Sequence, residues 1–295
     1  MSGMTVDTRE AQASERGSPV GRLLREWRTA RGVSQLDLAL RAGFSARHVS
    51  FIETGRSQPS RQALLVLAET LDVPLRERNR LLEAGGFADA YRETAIDAAT
   101  MAPIRSMLRF ILDRHDPYAA IVLDRYSTCV MGNAAADRLV ALTVDASIVT
   151  AKANHLRLAF HPLGARRYIV NWEEVGRHLL ARAERELSAP GDAAGTALLA
   201  ELREYAGPLP GSTPPPLAGD LLLPIHIRRG DIELRLFSAI MTLGTPRDVT
   251  LQELRIETFF PADSASDATW RSLCAPEAGG PATSGPAGRA PASSA

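Results

Sequence analysis

The stretch Ser34 to Arg56, SQLDLALRAGFSARHVSFIETGR, constrains this chain more than any other. Ser34 has a hydroxyl that can accept a first-turn amide hydrogen, which predicts a helix N-cap there. Asp37 suits the positive end of the same helix. Apolar residues recur at Leu36 and Leu40 and, across a break, at Val49 and Ile52. That spacing predicts two short helices, each with one inward stripe. Gly43 can take the left-handed conformation that ends a helix, Ser45 caps the next one, and Gly55 stops it. Helices this short and this tightly joined cross steeply, leaving the second protruding. The pattern is a helix-turn-helix, whose second helix fits the major groove of DNA.

The outer face of that second helix favours this reading over an ordinary helical hairpin. Ala46, Arg47, Ser50 and Phe51 lie off the Val49/Ile52 stripe, and Arg47 and Ser50 can hydrogen-bond base edges. Between Pro19 and Gln62, eight arginines oppose Glu26, Asp37 and Glu53, a local net charge of +5. The whole chain is neutral, with 34 basic and 34 acidic residues, so the excess is a local footprint suited to phosphates.

The residues GRLLREWRTARGVSQLDLALRAGFSARHVSFIETGRSQPS, continued by LLVLAETLDV, resemble the lambda-repressor-like helix-turn-helix family, also called XRE. The resemblance implies that Gln35 touches the phosphate backbone or a base. It places Ser45, Ala46, Arg47, His48 and Ser50 toward the groove and lets Arg56 to Arg61 track the backbone. It also implies a structural pair, Arg28 with Glu53, that is architecture rather than readout. Alanine at position 46 leaves that place without a polar base-reading group.

A chain of 295 residues has room for two domains. Cys129 and Cys274 are isolated in sequence, so neither a disulfide framework nor a zinc site is expected. His155 and His161 flank one short segment without a third ligand. No nucleophile elbow, phosphate-cradling glycine loop or pair of catalytic carboxylates is present, so no catalytic residue, metal or cofactor is predicted. With no long apolar run and no apolar leader, the expectation is a soluble cytoplasmic protein without a membrane partner.

Taken in order, residues 1–18 read as a disordered tail and 19–86 as an all-α module of five short helices, opened by Ser18-Pro19. Leu23, Leu24 and Trp27 form the inner face of the first helix; Leu64, Leu67, Ala68 and Leu71 form that of the fourth. Residues 87–101 read as a linker or an exposed connecting helix. A second domain, 102–270, begins with a helix carrying Ile104, Leu108, Ile111 and Leu112. Then the period changes to strands at 119–124 and 128–132, a helix capped by Asn133, and helices near 153–160, after Trp172 and at 196–205. A proline-rich loop, PLPGSTPPPLAG, precedes strands that turn at Arg229-Gly230-Asp231. Their alternation puts Ile225, Ile227, Ile232, Leu234, Leu236 and Ile240 on one face. A last strand spans 254–261, and 271–295 reads as a disordered tail.

About five antiparallel strands with helices inserted between the second and third make the chain α+β. A five-helix DNA-binding module would precede a PAS-like domain. PYAAIVLDRYSTCVMGNAAADRL, RLAFHP, IVNWEEVGRHLLARAERE and FSAIMTLGTPRDVTLQELRIETFFPAD resemble the ligand-binding domain of MmyB-like XRE regulators. The resemblance implies a PAS-like fold, an apolar pocket for a fatty-acid-like molecule and ligand-responsive transcriptional control. Phe160, Trp172, Leu236 and Met241 are candidates to line that pocket, and Arg166 and Arg167 to steady a carboxylate. The expected partners are a double-stranded operator, a small apolar ligand and a second copy of the chain, since one short helix reads few base pairs. The alternative is a DNA-tethered enzyme whose second domain does small-molecule chemistry.

Overall fold

A computed structural model describes residues 18–187, 192–209 and 222–275. The two expected tails lie outside the described residues, apart from Ser18 and residues 271–275. So does the proline-rich loop from position 210 on. The N-terminal helices are α1 (Pro19–Ala30), α2 (Gln35–Ala42), α3 (Ala46–Glu53), α4 (Arg61–Thr70) and α5 (Leu75–Ala84). Four starts are capped by serine: Ser18, Ser34, Ser45 and Ser60 each accept an amide hydrogen three residues on. Gly43 ends α2 at φ 73°, a left-handed conformation that costs a residue without Cβ little.

Val20, Leu24, Leu38, Val49, Ile52, Leu64, Leu67 and Leu82 close the core of this bundle. The expected inward stripe of α2 is corrected here. Leu36 and Leu40 are 58% and 71% exposed, and Leu38 and Ala39 are the buried pair. On an eight-residue helix, Leu36/Leu40 and Leu38/Ala39/Ala42 are both apolar sets. Only the packing of α3 and α4 decides between them. At Gly21, on α1, a Cβ would stand 2.3 Å from the carbonyl oxygen of Ile52, so α1 and α3 approach at a distance only glycine allows.

The rest of the described chain contains α6 (Ala102–Arg114), β1 (Ala120–Leu123), β2 (Cys129–Gly132) and α7 (Ala134–Thr143). It continues through α8 (His155–Phe160), α9 (Trp172–Leu187) and α10 (Ala193–Ala206) to β3 (Ile225–Arg229) and β4 (Ile232–Thr242). Then come α11 (Val249–Glu253), β5 (Arg255–Pro261) and α12 (Ser264–Cys274). The strands form one five-stranded antiparallel sheet in the order β2-β1-β5-β4-β3. Arg229 pairs with Ile232 across a two-residue turn, and Gly230 supplies its positive φ of 58°.

Buried Asn133 ties this architecture together. Its Oδ1 accepts from the amides of Ala120 and Ala136, and its Nδ2 donates to the carbonyl of Tyr118. One side chain thus caps α7 and pins β1. Residues 87–98 form no helix, so of the two readings offered for that stretch the connecting helix is not what forms. Its few large apolar residues cannot bury a helical face, and Asn79 holds the segment instead, accepting from the amides of Ala90 and Tyr91.

Two compact units partition the chain. One takes in the described residues up to Arg114 with Val122–Met131 and Ile240–Glu257. The other takes in His115–Ile121, Gly132–Ala239 and the described residues from Thr258 on.

Candidate nucleic-acid interface and ligand cavity

Helix α3 is held by the face it buries. Val49 and Ile52 enter the core, and Glu53 enters beside them as a buried carboxylate. Burial of a carboxylate demands compensation, and three donors supply it. Arg28 reaches Glu53 through Nε at 2.6 Å and Nη2 at 3.0 Å, and Gln35 donates from Nε2 at 2.7 Å. The paired carboxylate, by hydrogen bond and charge, holds the Arg28 guanidinium above its ordinary value. Gln35, half-buried, thus spends one amide N–H on Glu53.

The opposite face of α3 is open. Ser45 and Arg47 are exposed, Ala46, His48 and Ser50 are half-buried, and Arg56 and Arg61 are exposed beyond the helix. His48 packs against Phe44 with ring centroids 5.4 Å apart. Arg47 stands 5.0 Å from the centre of the Phe51 ring and Arg56 stands 6.0 Å from it. Phe51 was read from the sequence as outward-facing. Its engagement with two arginines was not legible, because Arg56 arrives through the turn after the helix.

The candidate ligand residues do not gather in one place. Phe160 and Trp172 meet edge-to-face at 5.0 Å, with Phe160 fully buried. Arg166 lies 5.5 Å from the Trp172 ring and donates to the carbonyls of Phe160 and Tyr205. Its guanidinium is thus committed to a helix end and an indole, and Arg167 rests on Tyr168 at 5.6 Å. Met241 is 44% exposed and its neighbour Ile240 43%, at the uncovered end of an eleven-residue strand. Strict alternation extended the buried face of β4 too far; cover stops after Leu236.

Leu236 lines a cavity. Its walls are Tyr118, Ala119, Leu139, Leu236, Phe259, Pro261 and Trp270, around a small apolar space of about 10 Å³. Tyr118 also carries a polar cluster: its hydroxyl donates to Asp267 at 2.7 Å and accepts from Arg271 at 2.6 Å. Asp267 draws the phenolic proton tighter and raises the Tyr118 pKa, while that hydrogen bond, with Arg271, lowers the Asp267 pKa. Trp270 donates to the carbonyl of Pro117 at 2.7 Å. Three of these residues sit on α12, which the sequence reading passed over. Asp263, whose carboxylate caps Ser266, was the available signal.

Near α5 a second polar cluster forms. Pro74 leaves the first turn of α5 without a cap of its own, and the Leu75 amide donates to the Gln252 side chain at 2.6 Å. Arg76 grips Glu253 through Nε at 2.6 Å and Nη2 at 2.9 Å, and also pairs with Glu93. Arg125 stands 3.8 Å from Glu253. Glu253 first, then Glu93, raise the Arg76 pKa above its ordinary value. Asp248 accepts from Thr94 Oγ1 at 2.6 Å and caps α11 through Thr250.

Among the described residues no group of three or more histidines, cysteines, aspartates or glutamates is placed to hold a metal. No described helix is long and apolar enough to cross a membrane.

A profile of the MmyB-like transcription regulator ligand binding domain matches residues 104–273, and one of a helix-turn-helix domain matches 19–81. No curated protein matches the chain. Among solved structures, the restriction-modification controller protein C.AhdI from Aeromonas hydrophila is 37% identical. The match spans 22% of this chain and 94% of that one, with a TM-score of 0.21. A ligand-binding profile spanning more than half the chain, preceded by a helix-turn-helix, places it among the MmyB-like transcription regulators, DNA-binding proteins with a ligand-binding domain.

Proposed function

We propose that the chain is a sequence-specific regulator acting in the cytoplasm as a homodimer, and that it senses a small apolar, fatty-acid-like molecule. In this reading residues 19–86 bind the operator, 87–101 link, and 102–270 sense. Arg47, Ser50, Ser45, Ala46 and His48 face the groove, while Arg56 and Arg61 follow the backbone. The observation that carries the sensing half is the cavity walled by Leu139, Leu236, Phe259 and Trp270, an apolar interior with a tyrosine at its side. The strand order β2-β1-β5-β4-β3, with α7 to α10 between the second and third strands, supports the PAS-like comparison.

The size of the cavity makes the proposal sharper. At about 10 Å³ it has room for about one water-sized sphere, far below the roughly 300 Å³ at which drug-sized sites begin. An acyl chain of any length enters only by displacing wall residues such as Leu236 or Phe259. The test is calorimetry of straight-chain fatty acids of increasing length against the full chain. Affinity should rise by up to about 0.8 kcal/mol per buried methylene, before ordering costs, and then level off. Bound ligand should also shift affinity for a duplex that the chain selects from randomised DNA. A flat response across all lengths rejects the fatty-acid reading and leaves the DNA-binding assignment intact.

A further inference from the structure

We propose that Phe51 is a positioning residue for DNA readout. Its ring holds the guanidinium groups of Arg47 and Arg56 in place before DNA arrives, and so sets part of the specificity of α3. The inference rests on α3 being the reading helix. Arg47 lies four residues before Phe51, one turn earlier on the same face, and its Cζ stands 5.0 Å from the ring centroid. Arg56 follows the helix and brings its Cζ to 6.0 Å from the same ring. That return is fixed in the main chain too. The Phe51 carbonyl accepts from the amides of Arg56 at 2.8 Å and Ser57 at 3.1 Å.

Charge explains why this arrangement faces a ligand. Among the described residues neither arginine has a carboxylate partner, and Glu53 is occupied by Arg28 and Gln35. Two cations thus share one ring quadrupole with no counter-charge between them. The ring attracts each, they repel one another, and both are exposed. An anionic oxygen or an acceptor-rich base edge relieves that repulsion. Each arginine parked on the ring has also lost much of its rotamer freedom already, so less is lost on binding. A bare arginine on an exposed helix has no such advantage. The chemistry recognised is that of duplex DNA: a phosphate for Arg56, and the O6/N7 edge of guanine for Arg47.

The experiment uses the full chain, a duplex it selects from randomised DNA, and an unrelated duplex of equal length at the same salt. Phe51→Leu keeps the apolar bulk and removes the quadrupole. It should weaken binding to the selected duplex about fivefold, the value of one exposed cation–π contact. Binding to the unrelated duplex should change less and the melting temperature should not move. Phe51→Tyr should restore wild-type affinity. In an Arg47→Ala/Arg56→Ala background, Phe51→Leu should cause no further loss. Wild-type affinity in Phe51→Leu overturns the proposal. So does a loss that persists in the double-arginine background, which would mean the ring touches bases itself. A fall in melting temperature that accounts for the loss would make the role structural and overturn it as well. A wild-type chain that enriches no duplex overturns the DNA reading with it.

Discussion

Glu53 is the residue on which the placement of α3 turns. Its carboxylate is buried and accepts from Arg28 twice and from Gln35 once. The geometry is bidentate, the strongest form of such a pair. Glu53→Gln removes the charge but keeps the shape, leaving the partly buried Arg28 without its counter-ion. Breaking a buried pair costs about 3–5 kcal/mol. Because Gln can still accept a hydrogen bond, the expected loss lies near the lower figure. A thermal melt of the full chain checks it, and an unchanged first transition rejects it. The pair itself was legible through the family resemblance. That Gln35 would join it was not, since a glutamine at the start of a helix faces outward as readily as inward and only the depth of Glu53 draws it in.

At the scale of elements, caps account for much of what the sequence reveals. Ser18, Ser34, Ser45, Ser60 and Asn133 each mark a helix start in the primary structure and cap one in the fold. The β3–β4 register follows from alternation around Gly230. Failures arise where the deciding contact is distant in sequence. The inner face of α2 depends on two other helices, and the cover over β4 ends for reasons no strand pattern contains. The most remote case is α5, whose N-terminal amide is capped by Gln252. Gln252→Ala should destabilise that helix start by about 1 kcal/mol, the usual value of a lost cap. Hydrogen exchange should quicken at the first amides of α5 while α1 to α3 stay as protected as before. Equal exchange in wild type and variant would show that water caps the helix as well as Gln252 does.

For the whole molecule, stability should fall in two stages as the solution is acidified. His115 has a folded pKa lowered from its ordinary 6.5 chiefly by burial, offset by a backbone hydrogen bond at Phe259, and its Nε2 has no partner among the described residues. The unfolded chain therefore takes up that proton more readily. The stability His115 contributes is fully present above about 6.5 and is lost as pH falls through the folded value. A second loss follows at lower pH. There Glu201, held below the usual range by its hydrogen bond from Arg157, and Asp267, held down by Tyr118 and Arg271, become protonated. Melting temperatures across the acid range should show both stages, and His115→Gln should remove the upper one alone. A variant that keeps the upper stage would assign it to another group.

The cap on α5 also has a schedule. Leu75 and Gln252 are 177 residues apart, so a ribosome finishes α1 to α5 long before the residue that closes the first turn of α5 exists. At ~5–20 residues per second the interval is roughly 9–35 s. During it the nascent helix-turn-helix carries an open helix end, and Arg76 has Glu93 but not Glu253 as a partner. The module that reads DNA is thus completed by nearly the last part of the described chain to be made.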